Sequence, residues 1–144
     1  MNPLPDLYAQ HLQKHFSYPQ YLLLVILINL LPNVRTVKLE QLARVFPYPI
    51  LLRSRIRKIQ RLLSLPQLKV KTVWFPLVLN WIEQQWNPGE AIHLVIDRSQ
   101  WRTINLLMVS MVYRRRSIPI NFTLLDKIGN SKLSQQQLVL SPVL

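Results

Sequence analysis

Near residue 90 the spacing of apolar residues changes, and that change limits what this chain can fold into more than any other feature. Upstream, apolar positions recur every three or four residues, the period of a helix with one buried side. Downstream the period is lost. Residues 91–97 and 106–113 are near-continuous apolar runs, as in strands covered on both faces. Ile118, Ile120, Phe122 and Leu124 then alternate with Pro119, Asn121 and Thr123, the pattern of a one-sided strand in which Pro119 suits an edge. The connections, at 98–105 and at Arg114-Arg115-Arg116-Ser117, are short enough to join the three strands as an antiparallel meander. Lys127-Ile128-Gly129-Asn130 reads as a turn headed by Asp126, and a helix capped by Ser131 or Ser134 is expected from Leu133 to the end of the chain. The expectation is an α+β chain, helical over 1–88 and built on strands over 89–144.

Within the helical part, the run 21–31 is the only membrane candidate. Pro32 closes it far short of the ~20 residues a span needs, so a buried helix accounts for it better. As a signal peptide it lacks a basic start and a small-residue cleavage site. His11 and His15 stand one helical turn apart with no third ligand nearby, which fits surface histidines better than a metal site. Thr36 can cap a helix carrying Leu39, Leu42, Ala43 and Phe46 on one stripe. Pro47-Tyr48-Pro49 breaks it, and a second helix begins near Ile50 with Leu52, Ile56, Ile59 and Leu63 on one face. Residues 74–86 read as an amphipathic helix with Pro76 in its first turn; Trp74, Val78 and Trp81 would pack between the two halves. Asn87-Pro88-Gly89 ends it.

Charge narrows the function. Eighteen Lys and Arg against six Asp and Glu give a net +12, which points to nucleic acid or an anionic surface as partner. The excess is concentrated on the second helix, at Arg53, Arg55, Arg57, Lys58 and Arg61, and no acidic residue lies between Glu40 and Glu83. Two short helices joined by a tight turn, the second basic, have the outline of a helix-turn-helix. Contact with DNA phosphates is favoured over a merely solvated basic face, although prolines stand in the turn where a glycine is usual. The absence of cysteine excludes disulfides and thiolate metal sites and fits a reducing cytoplasm.

Asp97 ends the first apolar run, where an acidic side chain needs a metal or a basic partner to offset desolvation. Alone it reads more readily as a strand-end or turn residue than as a catalyst. Its surroundings add more: Leu94-Val95-Ile96-Asp97-Arg98-Ser99-Gln100-Trp101, Asn105-Leu106-Leu107-Met108-Val109, Tyr113-Arg114-Arg115-Arg116-Ser117-Ile118-Pro119-Ile120 and Leu124-Leu125-Asp126-Lys127-Ile128-Gly129-Asn130-Ser131. In order and spacing these resemble the DDE-type transposases of bacterial insertion sequences, in the insertion sequence four group. The comparable Arg-rich segment in that family precedes its catalytic domain, as residues 53–64 do here.

The resemblance implies a ribonuclease-H-like fold of which this chain holds the first three strands. It makes Asp97 the first of three carboxylates that hold Mg²⁺ in the complete enzyme, and transposon DNA the partner. Past Asp97 the chain offers only Asp126 and no Glu, so a two-metal site is not expected to be completed within it, and strand cleavage or joining is not expected from it alone. The strand carrying Asp97 would then have an open edge able to pair with a second polypeptide or another copy. The expected location is the cytoplasm, with the nucleoid. Two alternatives carry different expectations: a free-standing DNA-binding protein that inhibits transposition, and a basic protein on an anionic membrane surface using 21–31 and the basic helix together.

Overall fold

The computed structural model describes residues 4–126 and 129–143; Lys127 and Ile128 of the expected turn lie outside the described residues. The chain is α+β, in the order α1 (Asp6–His15), α2 (Tyr18–Val34), α3 (Leu39–Val45), α4 (Leu52–Leu63), a π-type turn (Val70–Trp74), α5 (Phe75–Gln85), β1 (Leu94–Trp101), β2 (Ile104–Tyr113), β3 (Arg116–Leu125) and α6 (Leu133–Leu140). It divides into two compact units, Met1–Val73 and Trp74–Leu144. The change of period near residue 90 put the division later, at 88; α5 instead groups with the strands on which it packs.

In the first unit α2 is the central helix. Leu23 and Leu27 enter one cluster with Leu42, Ala43 and Phe46 of the α3 region and Ile59 and Leu62 of α4. Tyr21 and Val25, each two residues out of phase with that pair, enter a second cluster with Leu12, Phe16 and Val73. A helix buried on two sides has to be apolar nearly all round, and this is why residues 21–31 are apolar but for Asn29. Gln20 Oε1 accepts the Ser17 N–H at 3.0 Å to start the helix, and Arg35, at φ 53°, ends it one turn after Pro32. No single helix among the described residues is long and apolar enough to cross a membrane; α2 and α3 reach that length only together, across a 104° bend.

Thr36 does not cap α3. Its Oγ1 accepts the N–H of Lys38 at 3.2 Å, and Lys38 is the residue at the helix start. In α4, Ile59 and Leu62 are buried and Ile56 half-buried, whereas Leu52 and Leu63 at the two ends are exposed. The buried stripe is thus shifted toward Leu62, which meets α2 and α3 beside Ile59 while Leu63 falls outside that contact.

In the second unit the three strands form an antiparallel meander in the order β1-β2-β3, as their short connections require. β1 runs on past Asp97 to Trp101, and a two-residue turn at Arg102-Thr103 returns the chain at Ile104. The connection expected over 98–105 is therefore mostly strand. One face of the sheet is covered: Leu107, Val109 and Leu125 pack with Val139 of α6, and Met111 and Ile120 with Val78 of α5. The Trp74–Trp81 stripe packs within this unit, with Trp74 Nε1 donating to the Pro119 carbonyl at 2.9 Å and Trp81 joining the α5 cluster.

A β-bulge overturns the expected alternation of β3. Val109 pairs with Asn121 but Ser110 with Pro119, so Ile120 is an extra residue without a partner on β2. Ile118 and Ile120 lie on the covered side; beyond the bulge the phase inverts, Leu125 is buried, and Phe122 and Leu124 face outward, 45% and 63% exposed. Both runs expected to be covered on two faces are covered on one. Val95 and Ile96 of β1 are more than a third exposed, as is Ile104 at the start of β2.

Asn87 closes the α5–β1 connection by donating its backbone N–H and side-chain amide to the Glu90 carboxylate at 3.1 and 2.9 Å, the side-chain bond being the larger cause of a lowered Glu90 pKa. α6 stops at Leu140, with Ser141 as the residue at its end. Its cap is the Gln135 side chain accepting the Lys132 N–H at 2.8 Å; Ser131 instead takes a bond from Gln136.

The β2–β3 turn is strained. Arg114 and Arg115 have φ of 46° and 65°, where a side chain with a Cβ costs about 1–2 kcal/mol per residue. Asn-Gly is the pair that suits such a turn.

The shifted stripe of α4 makes one clear prediction. Replacing Ile59 with Ala should lower unfolding free energy by about 2–4 kcal/mol through loss of buried volume, while Leu63→Ala should cost well under 1 kcal/mol. Equilibrium denaturation of the two variants measures the difference, and equal losses would mean Leu63 belongs to the core.

Candidate nucleic-acid interface

The basic helix α4 has two sides with different work to do. Arg53, Arg57 and Arg61 follow one another at successive fourth positions, with Ser54 and Lys58 beside them, on the side away from Ile59 and Leu62. All four cations are exposed, and among the described residues none of them meets a carboxylate. Lys58 is held over the Tyr48 ring, 4.9 Å from its centroid, and Tyr48 stacks on buried Phe46 at 5.3 Å. Arg57, Lys58 and Arg61 border an open hollow of about 270 Å³ with Ile50 and Ser54. Lys58 and Arg61 also border a second hollow of about 230 Å³, shared with Pro19, Gln20 and Leu23 of α2. The side chains present are guanidinium and ammonium donors with no acceptor to satisfy them, so the arrangement suits a poly-anion.

Arg55 does not belong to this side. It lies on the buried arc of α4 and reaches back across the turn, donating from Nε to the Ile50 carbonyl at 2.9 Å and from Nη1 to the carbonyls of Ala43 and Arg44 at 3.3 and 3.2 Å. Those two carbonyls belong to the last turn of α3 and have no intrahelical donor. Arg55 therefore fixes α3 against α4. The intervening segment is stiffened by its prolines and by successive bonds from Tyr48 N–H to Phe46 O and from Ile50 N–H to Tyr48 O, both 2.8 Å. The one trace of this division in the sequence is that Arg55 falls out of step with Arg53, Arg57 and Arg61, because backbone acceptors leave no mark in residue type.

Asp97 sits in the middle of β1, not at its end. The bond from Val112 N–H to His93 O sets the register, so that Leu94, Ile96, Arg98 and Gln100 turn their backbone groups away from β2. Asp97 Oδ1 accepts the outward N–H of the next residue, Arg98, at 2.8 Å. The Arg98 guanidinium in turn donates from Nη2 to the buried Asn105 Oδ1 at 3.0 Å. Both β1 and β3 are edges of the sheet among the described residues. On its open edge β1 thus carries a carboxylate folded over one amide, a device that hinders pairing with another strand.

As a metal site the donors fall short. Two hard cations need several oxygen ligands and more than one carboxylate between them. No three His, Cys, Asp or Glu side chains converge among the described residues, and one oxygen of Asp97 is already engaged. Among the described residues, Asp97 by itself does not supply the ligands of a two-metal centre. His11 and His15 lie with ring centroids 4.8 Å apart, and His11 Nε2 donates to the Thr72 carbonyl at 3.3 Å, a packing role within the first unit.

Searches against protein-family models, curated proteins and solved structures found no match for this chain.

Two substitutions separate these roles. Arg55→Ala should destabilise the fold by about 2 kcal/mol, since it leaves helix-end carbonyls without donors, whereas Arg53→Ala should change stability by under about 0.5 kcal/mol. Asp97→Ala should increase concentration-dependent self-association, readable by sedimentation velocity. A variant that stays as monomeric as the parent would show that the carboxylate does not guard the edge.

Proposed function

We propose that this chain is a DNA-binding protein of transposase type, which holds duplex DNA by its phosphate backbone along the exposed side of α4. The observation that carries the reading is the division of α4 into a buried arc and an arc of four cations without carboxylate partners. Phosphates would contact Arg53, Arg57, Lys58 and Arg61, with Arg55 positioning the helix from behind. In this reading α3 and α4 form a helix-turn-helix, and the three-stranded meander corresponds to the first strands of a ribonuclease-H-like domain. The second correspondence is supported by the meander order and by the ordered residues that resemble the insertion-sequence enzymes. Asp97 would be a metal carboxylate only in a site completed by residues other than those described, so DNA binding is assigned here and strand transfer is not. Such a protein would act in the cytoplasm, at the nucleoid.

A second reading is favoured by one feature of the first unit. It has two hydrophobic clusters of its own, so the α4 side can be presented without help from the sheet. That suits a free-standing, non-catalytic binder that occupies transposon ends and keeps the active enzyme off them.

Binding of the full chain to a fluorescent duplex, titrated with salt, tests the common core of both readings. For the triple variant Arg53→Ala/Arg57→Ala/Arg61→Ala the slope of log K against log salt should become shallower by about three units, near 0.9 per lost phosphate contact. An unchanged affinity and slope in a folded triple variant would remove the α4 interface.

A further inference from the structure

The second unit carries its own cationic feature at the tip of the β2–β3 hairpin. Tyr113 pairs with Arg116, which leaves Arg114 and Arg115 as the two turn residues, both at positive φ. Every non-glycine residue with positive φ among the described residues is an arginine: Arg35, Arg102, Arg114 and Arg115. At a two-residue turn of this kind Asn-Gly would fit without strain, so conformation does not explain the choice of arginine here. Strain held at an exposed tip points to a use for the side chains themselves.

The base of the turn is rigid. Tyr113 packs edge-on against Trp81, centroids 4.8 Å apart, and at 5.1 Å against Trp86, while its hydroxyl donates to Gln85 Oε1 at 2.9 Å. The Arg114 guanidinium lies over the same Tyr113 ring at 5.1 Å. Arg114, Arg115 and Arg116 are all exposed, and among the described residues none meets a carboxylate. Three guanidinium groups project from a turn braced by an aromatic cluster, without internal acceptors. Guanidinium forks match the paired oxygens of a phosphate, and a braced turn limits the entropy lost when they engage.

We propose that the Arg114-Arg115-Arg116 hairpin tip is a second phosphate-contact site, which grips the backbone of duplex DNA with residues other than those of α4. The inference rests on the DNA-binding reading for its ligand but not on α4 for its residues. Its effect is additive: contacts at the tip contribute to affinity and to salt dependence whether or not α4 is intact.

The variant Arg114→Asn/Arg115→Gly tests it in the full chain, because it removes two cations while suiting the turn better. Its unfolding midpoint should match or exceed the parent's. Its affinity for a fluorescent duplex should fall, and the salt slope should become shallower by about two units, near 0.9 per contact. Arg114→Gln/Arg115→Gln removes the same charge and keeps side-chain length, and should show the same loss. Unchanged affinity and slope in both variants would overturn the inference. If the hairpin variants bind like the parent while the α4 triple variant does not, the hairpin site falls and the α4 reading stands. If the α4 variant binds like the parent while the hairpin variants do not, the α4 reading falls and the hairpin site stands.

Discussion

Helix α2 has no side that can face water along most of its length, and the first unit is arranged around that constraint. Two clusters form on opposite sides of it, one with α3 and α4, the other with α1 and the segment ending at Val73. Four segments share the covering of this one helix. They lie before and after it in sequence, so the chain must double back on it. The turn at 46–51 is one such reversal, and the Arg55 bonds to α3 carbonyls hold it closed. The same reversal turns the remaining cations of α4 outward: one arginine is used to fix the helix, and the others are left free to act on a partner.

The sheet solves a different problem with less material. It is covered on one face by α5 and α6, and its strands return through two-residue turns that contain arginine where glycine or asparagine would be at ease. At the Trp101–Ile104 end Arg102 lies over the Trp101 ring at 5.2 Å, and at the Tyr113–Arg116 end Arg114 lies over Tyr113. Each turn thus pairs a left-handed arginine with the aromatic residue before it. The cation–ring contact offsets part of the backbone strain, by about 0.5–1 kcal/mol at an exposed position.

Much of this was legible in the sequence. The period change separated helices from strands, the apolar run 21–31 read as a buried helix, and the three apolar segments with short connections read as an antiparallel meander. What escaped had physical causes that residue type does not record. Ile118, Ile120, Phe122 and Leu124 alternate without a fault, yet the bulge at Ile120 inverts them; only Pro119, which cannot donate to a ladder, hinted at irregular pairing. Polar residues 98–100 concealed the outer half of β1, since an exposed edge strand needs no apolar face. Arg55 looked like its neighbours because its partners are carbonyls. Asp97 was legible as a carboxylate at a fixed point on a strand, but its bond to the neighbouring amide was not.

The inverted half of β3 has a consequence for how the molecule behaves in bulk. Phe122 and Leu124 are turned toward solvent, as are Val95, Trp101 and Ile104, on a chain whose net charge is +12. Apolar side chains exposed in this number attract one another at short range, while the charge repels at long range. The repulsion reaches about 10 Å at 0.1 M salt and about 3 Å at 1 M. The colloidal stability of the chain is therefore set by its counterions. Dilute monovalent salt keeps copies apart, and screening of the charge brings the exposed apolar side chains within reach of each other, Phe122 and Leu124 among them because the bulge turned them outward.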